Sequence, residues 1–168
     1  QTSTVHSSVV FRLGEFYLDY AEALYRWKGN AETAPTGTEF ASGYAETALQ
    51  ALNHTRVRAG VAALTSADLV RRGGFWNLYE RERMVELSFE GHRFWDVRRW
   101  KEGDKFSGKN IKVMKITKNT DGSFSYNVQT LEGTRDEWND KFYLFPISQD
   151  EINIHDKYGV HWEQNPGW

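Results

Sequence analysis

"ERERMVELSFEGHRFWDVRRW", Glu80 to Trp100, packs five acids, five arginines, one histidine and four large aromatics into 21 residues. Three chemistries call for such density: paired catalytic carboxylates, an arginine surface for nucleic acid, or an ion-paired network that fixes one fold. Glu82, Glu86 and Glu90 stand at i, i+4 and i+8, one stripe on a helix, with Arg83 and Arg93 within a turn of them. A general acid needs its pKa raised, whereas neighbouring arginines lower it, and glycosidase carboxylates normally face one another from different elements. Glu82, Arg83, Glu86, Glu90 and Arg93 are therefore expected to form an interior structural network, with Phe89, Phe94, Trp95 and Trp100 burying apolar area around it.

Composition narrows the alternatives. The chain has 168 residues and a net charge of -2, with acids and bases interspersed, so one domain is the default and nucleic acid is not an expected partner. Cysteine is absent, which removes disulfides, thiolate catalysis and cysteine-bound zinc. The histidines never form an HExxH pair, so no histidine-bound metal and no cofactor is expected, with calcium on loop carboxylates the alternative left open. Seven Trp, eight Tyr and ten Phe exceed what a core of this size holds, so some aromatic faces should reach a surface and meet a ligand. No run approaches the roughly 18 apolar residues that a membrane span needs. The start, QTSTVHSSVV, has neither the charged region nor the apolar segment of a signal peptide and lacks methionine, which suggests a cut from a longer protein.

Around the central stretch, apolar spacing predicts a helix over 9–28, with Leu13, Phe16, Tyr17, Tyr20, Ala23, Leu24 and Trp27 on its apolar face and Gly29-Asn30 as its stop. A loop over 31–42 and a second helix over 43–59 follow, making a helical hairpin. Thr65 or Ser66 caps a short helix over 67–72. Gly73-Gly74 separates it from a third long helix over 75–89, where Leu78, Val85 and Phe89 are expected to form one apolar line. Beyond Gly91, HRFWDVRRW continues as a short helix. Trp76 and Trp95 are assigned to helix packing. IKVMKI and SFSYNV alternate as strands around the turn NTDG, and so isolated a hairpin is expected to pack on the helices. The tail from Asp140 reads as extended and turn-rich. Leu13-Gly14 with Tyr17 fits part of a tetratricopeptide first helix, where the small residue admits a neighbouring helix; no 34-residue period repeats.

The central stretch closely resembles the signature near the C-terminus of the SusD/RagB family. Three further blocks match in order: YAEAL (Tyr20 to Leu24), LNHTRVRAG (Leu52 to Gly60), and FYLFPISQDEI (Phe142 to Ile152) with terminal QNPGW. Ser148 replaces a proline usual in the family, Phe94-Trp95 reverses its aromatic order, and HDKYGVH stands where an Asn-Pro segment is common. The resemblance implies a mainly α fold of tetratricopeptide-like hairpins with one small β-hairpin. It also implies that residues 1–168 are the C-terminal portion of a chain several times longer, whose N-terminal part carries a lipid anchor.

By the same resemblance the protein is a non-catalytic, surface-exposed component at the outer membrane of Gram-negative bacteria. It binds oligosaccharide or polysaccharide and passes it to a SusC-like TonB-dependent transporter, with no membrane contact except through that anchor. A scaffold binding a peptide or protein is the alternative. No motif position transfers as a sugar contact. Sugars stack their C-H faces on exposed rings, so Trp138 and Tyr126, in or beside the hairpin, are the candidate platforms, and packing is the competing fate of both.

Overall fold

The computed structural model describes residues 10–37, 39, 44–108, 110–134 and 137–168. His6, the expected helix starts at Val9 and Gly43, and part of the 31–42 loop lie outside the described residues. Among the described residues, six helices and one two-stranded antiparallel sheet make the fold mainly α. It divides into two compact units, residues 1–93 and 94–168.

In the first unit, α1 (Leu13–Lys28) packs on α2 (Ala48–Arg58), and both meet α4 (Phe75–Glu86). Gly29 ends α1 at φ 65°, where a β-carbon would be strained, and its N–H donates to Tyr25 O. Thr47 and Gln50 close α2's N-terminus reciprocally, each side chain accepting from the other's backbone N–H. Thr65 precedes the short α3 (Ser66–Arg71), its N–H donating to Asp68 at 3.0 Å. The core is Leu18, Ala21 and Leu24 against Ala48, Ala51 and Leu52, closed by Phe75, Leu78 and Tyr79. Each fully buried leucine there contributes about 1.5–3 kcal/mol relative to exposure.

Helix phase departs from the apolar pattern. On α1 the expected face is split: Leu24 is buried, while Leu13, Phe16 and Trp27 are 67%, 58% and 54% exposed. The inward positions are Glu15, Leu18, Ala21 and Glu22. On α4 the inward face runs Phe75, Leu78, Tyr79, Glu82, Arg83 and Glu86, so the expected line through Val85 and Phe89 is wrong. Val85 is 60% exposed and Phe89 projects fully into solvent. Charged residues occupy core-facing positions on both helices, which defeats a reading that follows hydrophobicity alone. α4 also stops at Glu86, and the chain turns through Phe89 at φ 65° and Gly91 at φ 81° before α5 (His92–Arg99). Trp76 is half-buried beside Tyr79 and Tyr25, a packing residue as expected.

The second unit takes the rest of α5, a 3-10 turn at Gly103–Phe106, the hairpin β1 (Asn110–Lys118) and β2 (Phe124–Thr134), a second 3-10 turn at Asp140–Tyr143, and α6 (Gln149–Lys157). The tail is thus partly helical, contrary to the extended reading; Pro146 precedes a helix that begins after Ser148, and only Ile152 of α6 is buried. Trp95 is 56% exposed, which corrects its assignment to helix packing, because α5 turns Asp96 and Val97 inward instead. In the hairpin, Ile116 lies opposite Tyr126 and Met114 opposite Val128, and Asp121 and Gly122 make the turn. The expected packing on helices is not seen: Met114, Ile116, Phe124, Tyr126 and Val128, all on one face, are between 53% and 66% exposed.

Candidate functional site

The Glu stripe on α4 meets arginines from other segments. Glu82 accepts from Arg56 at 2.7 Å and from the Thr55 hydroxyl at 3.2 Å. Glu86, with 7% of its side chain exposed, takes Arg12 at 2.5 Å and Arg58 at 2.9 Å. Glu90 accepts two further bonds from Arg12 Nε, at 3.0 and 2.9 Å. These bonds hold the Glu90 carboxyl below its ordinary value against the opposing pull of desolvation, the reverse of what a general acid requires. Gly14 permits the approach: a β-carbon there would lie 2.9 Å from Arg12 and from Glu86.

Arg83 is the most buried arginine of the set, its guanidinium donating to Asp19 at 2.7 Å beside Tyr79, whose hydroxyl donates to Glu22 at 3.0 Å. Arg93, expected among these groups, is 30% exposed and stands 3.9 Å from Glu80. Its place follows from the turn at Phe89 and Gly91, which starts it on a new helix. The LNHTRVRAG block supplies Thr55, Arg56 and Arg58 to this network, while Asn53 pins the following loop through two bonds to Leu64, at 2.9 and 2.7 Å.

A cavity suited to a ligand lies in the second unit. An open cleft of about 940 Å³ is lined by residues of three segments, among them Trp95, Arg98 and Lys101, then Asn139, Lys141 and Tyr143, and Pro166 with Gly167. Its volume is in the range of roughly 300–1,000 Å³ typical of ligand sites. The Trp95 ring meets Phe94 edge-on at 5.1 Å and Phe145 tilted at 5.8 Å, and stays 56% exposed, so aromatic surface remains available beside its packing contacts. The C-terminal segment is held in place: the Trp168 indole N–H donates to Lys141 O at 3.0 Å and Leu144 O at 3.1 Å. Asn139 caps the second 3-10 turn by accepting from Lys141 N at 3.0 Å.

The two candidate platforms sit elsewhere. Trp138 is half-buried with its ring against Gly103, where a β-carbon would come within 2.0 Å of the indole, and it meets Phe142 edge-on at 5.8 Å. Only glycine at 103 leaves room for that ring. Tyr126 is 66% exposed on the hairpin's apolar face. Neither lines the cleft. Sequence reasoning gave Trp95 to packing and passed over Lys101 and Lys141, although a signal existed: DVRRWK, DKFYL and NPGW belong to or adjoin two of the matched blocks, and the fold brings them to one cavity. Among the described residues no group of three or more His, Asp or Glu is placed to hold a metal ion.

Comparisons with known proteins agree on a kinship. The family described as the SusD family matches residues 1–168. The solved structure of BT4246 superposes with a TM-score of 0.68 at 33% sequence identity, covering 95% of this chain. The chain spans 24% of the length of BT4246. A search of curated proteins gave no match.

Proposed function

Because the chain belongs to the SusD family, we propose that it is the C-terminal portion of a non-catalytic glycan-binding protein that serves nutrient uptake at the outer membrane. In this reading the parent protein is held at the cell surface by a lipid anchor outside residues 1–168 and delivers oligosaccharide to a SusC-like TonB-dependent transporter. The observation that carries the proposal is the family match along the whole chain, and the 24% share of BT4246 supports a longer parent. The cleft supports it chemically: exposed aromatic surface beside polar side chains is what a sugar ring and its hydroxyls require. The carboxylate stripe supports the non-catalytic part, since Arg12 ties Glu86 and Glu90 together and holds the Glu90 carboxyl below its ordinary value.

A labelled oligosaccharide screen on the full-length parent, read for binding and for new reducing ends, tests the proposal. Saturable binding without cleavage is expected. Binding of no oligosaccharide, with no barrel protein co-purifying, would overturn it; a co-purified peptide in the sugar's place would favour the peptide scaffold.

A further inference from the structure

The cleft of the second unit has a charge pattern that a neutral sugar does not need. Of the cations lining it, Arg99 is paired with Asp96 at 2.8 Å. Arg98, Lys101 and Lys141 make no ion pair among the described residues, and Asp140 is the lone acid of the lining. On the α4 stripe, by contrast, Arg12, Arg56 and Arg58 each meet a glutamate. Three unmatched cations around one cavity, in a chain of net charge -2, form a local excess of positive charge.

Arg98 and Lys141 are held by side-chain contacts, and Lys101 is placed by its backbone. The Arg98 guanidinium lies 3.5 Å from the Phe94 ring centroid and donates to Phe94 O at 3.0 Å, while its buried Nε has no acceptor. Lys141 Nζ sits 4.4 Å over the Trp168 ring, and a β-carbon added at Gly167 would come 3.0 Å from Lys141 Cβ. Lys101 ends α5 at φ 56°, inside a cap where Glu102 N–H donates to Val97 O at 3.0 Å. That position favours glycine, as at Gly29 after α1. A lysine there accepts backbone strain and sets an ammonium at the cleft, the kind of local cost that collects at binding sites.

We infer that this cleft binds an oligosaccharide bearing negative charge, as uronate carboxylates or sulfate esters, with a sugar face on Trp95 and the anionic groups between Arg98, Lys101 and Lys141. The inference rests on the glycan-binding reading and narrows it to a ligand class. Charge-assisted hydrogen bonds to fixed cations add specificity that a neutral ring cannot use, and Trp95 supplies contact that a free anion cannot use.

The test is calorimetric titration of the full-length parent with three tetrasaccharides: an oligogalacturonate, a sulfated galactan fragment and a neutral galactan fragment. At least one acidic ligand should bind about tenfold or more tightly than the neutral one, and raising salt to about 0.5 M should erode that preference. The acidic arm that binds identifies the charged group. Lys101→Gln with Lys141→Gln should remove the preference, and Trp95→Ala should weaken acidic and neutral ligands alike, with melting temperatures unchanged because these side chains are exposed or half-buried. Acidic binding that survives all three substitutions overturns the inference. Neutral binding equal to acidic in the wild-type parent also overturns it, while the uptake reading stands. Absence of binding by all three overturns the inference, while the uptake reading is decided by the wider oligosaccharide screen and the barrel co-purification.

Discussion

Arg83, Arg93 and Phe89 show how placement sets the effect of a single side chain. Arg83→Ala removes a guanidinium that is 5% exposed and leaves Tyr79 and Glu22 with a gap beside them, so a loss of roughly 2–3 kcal/mol is expected from denaturant unfolding. Arg93→Ala, at 30% exposure against 5% for Arg83, should cost less than Arg83→Ala. The reverse order of effects would mean that Arg93 anchors the network. Phe89 holds φ 65° with its side chain in solvent, and Phe89→Asn, which tolerates that backbone, should raise stability by about 0.5–1 kcal/mol. Acid stability follows from two surface carboxyls. Glu39, bonded first by Lys28 and then by Thr36, and Asp68, bonded first by Thr65 and then by Arg71, are each lowered to about 2 from 4.5 and 3.8. The unfolded chain therefore binds more protons as pH falls, so their contribution is complete above about pH 4.5 and is lost towards about pH 2. Thermal melts of Glu39→Gln with Asp68→Asn should show a shallower fall across that window than the wild type.

At the level of elements, the long helices and the hairpin were legible because spacing and turn chemistry agreed there: period near 3.6 in α1 and α4, alternation around Asp121-Gly122 in the strands. Their facing was less legible. Glu15 and Glu22 on α1, with Glu82, Arg83 and Glu86 on α4, point inward because each finds a partner on another element, and pairing across the fold cannot be seen in a local window. α6 was missed for a related reason, since a nine-residue helix with one buried side chain leaves almost no apolar period. The cleft was missed because its residues come from 95–101, 139–144 and 166–167, three segments that only tertiary structure joins. One prediction belongs to the end of α5. Lys101→Gly relieves the positive φ and should stabilise the fold by about 0.5–1 kcal/mol, while weakening any acidic oligosaccharide; melting and titration of one variant read both.

For the whole molecule, the dense stretch from Glu80 to Trp100 serves two places. Its first half meets Arg12, Arg56 and Arg58 in the first unit, and its second half delivers Trp95, Arg98 and Arg99 to the cleft of the second. Glu86→Gln should therefore lower stability, by roughly 2 kcal/mol, and no oligosaccharide cleavage is expected of the parent with or without it. Turnover in the wild type that disappears in this variant would restore the catalytic reading. The ordered motif blocks made the family legible from sequence, and the match along 168 residues agrees. The central claim is that these residues are one part of a longer protein at the cell surface. Its most direct test is the intact mass and cell fraction of the natural protein, followed with an antibody against this chain. The account predicts an outer-membrane species about four times this length, as the 24% share of BT4246 implies. A 168-residue species in the cytoplasmic fraction would contradict it.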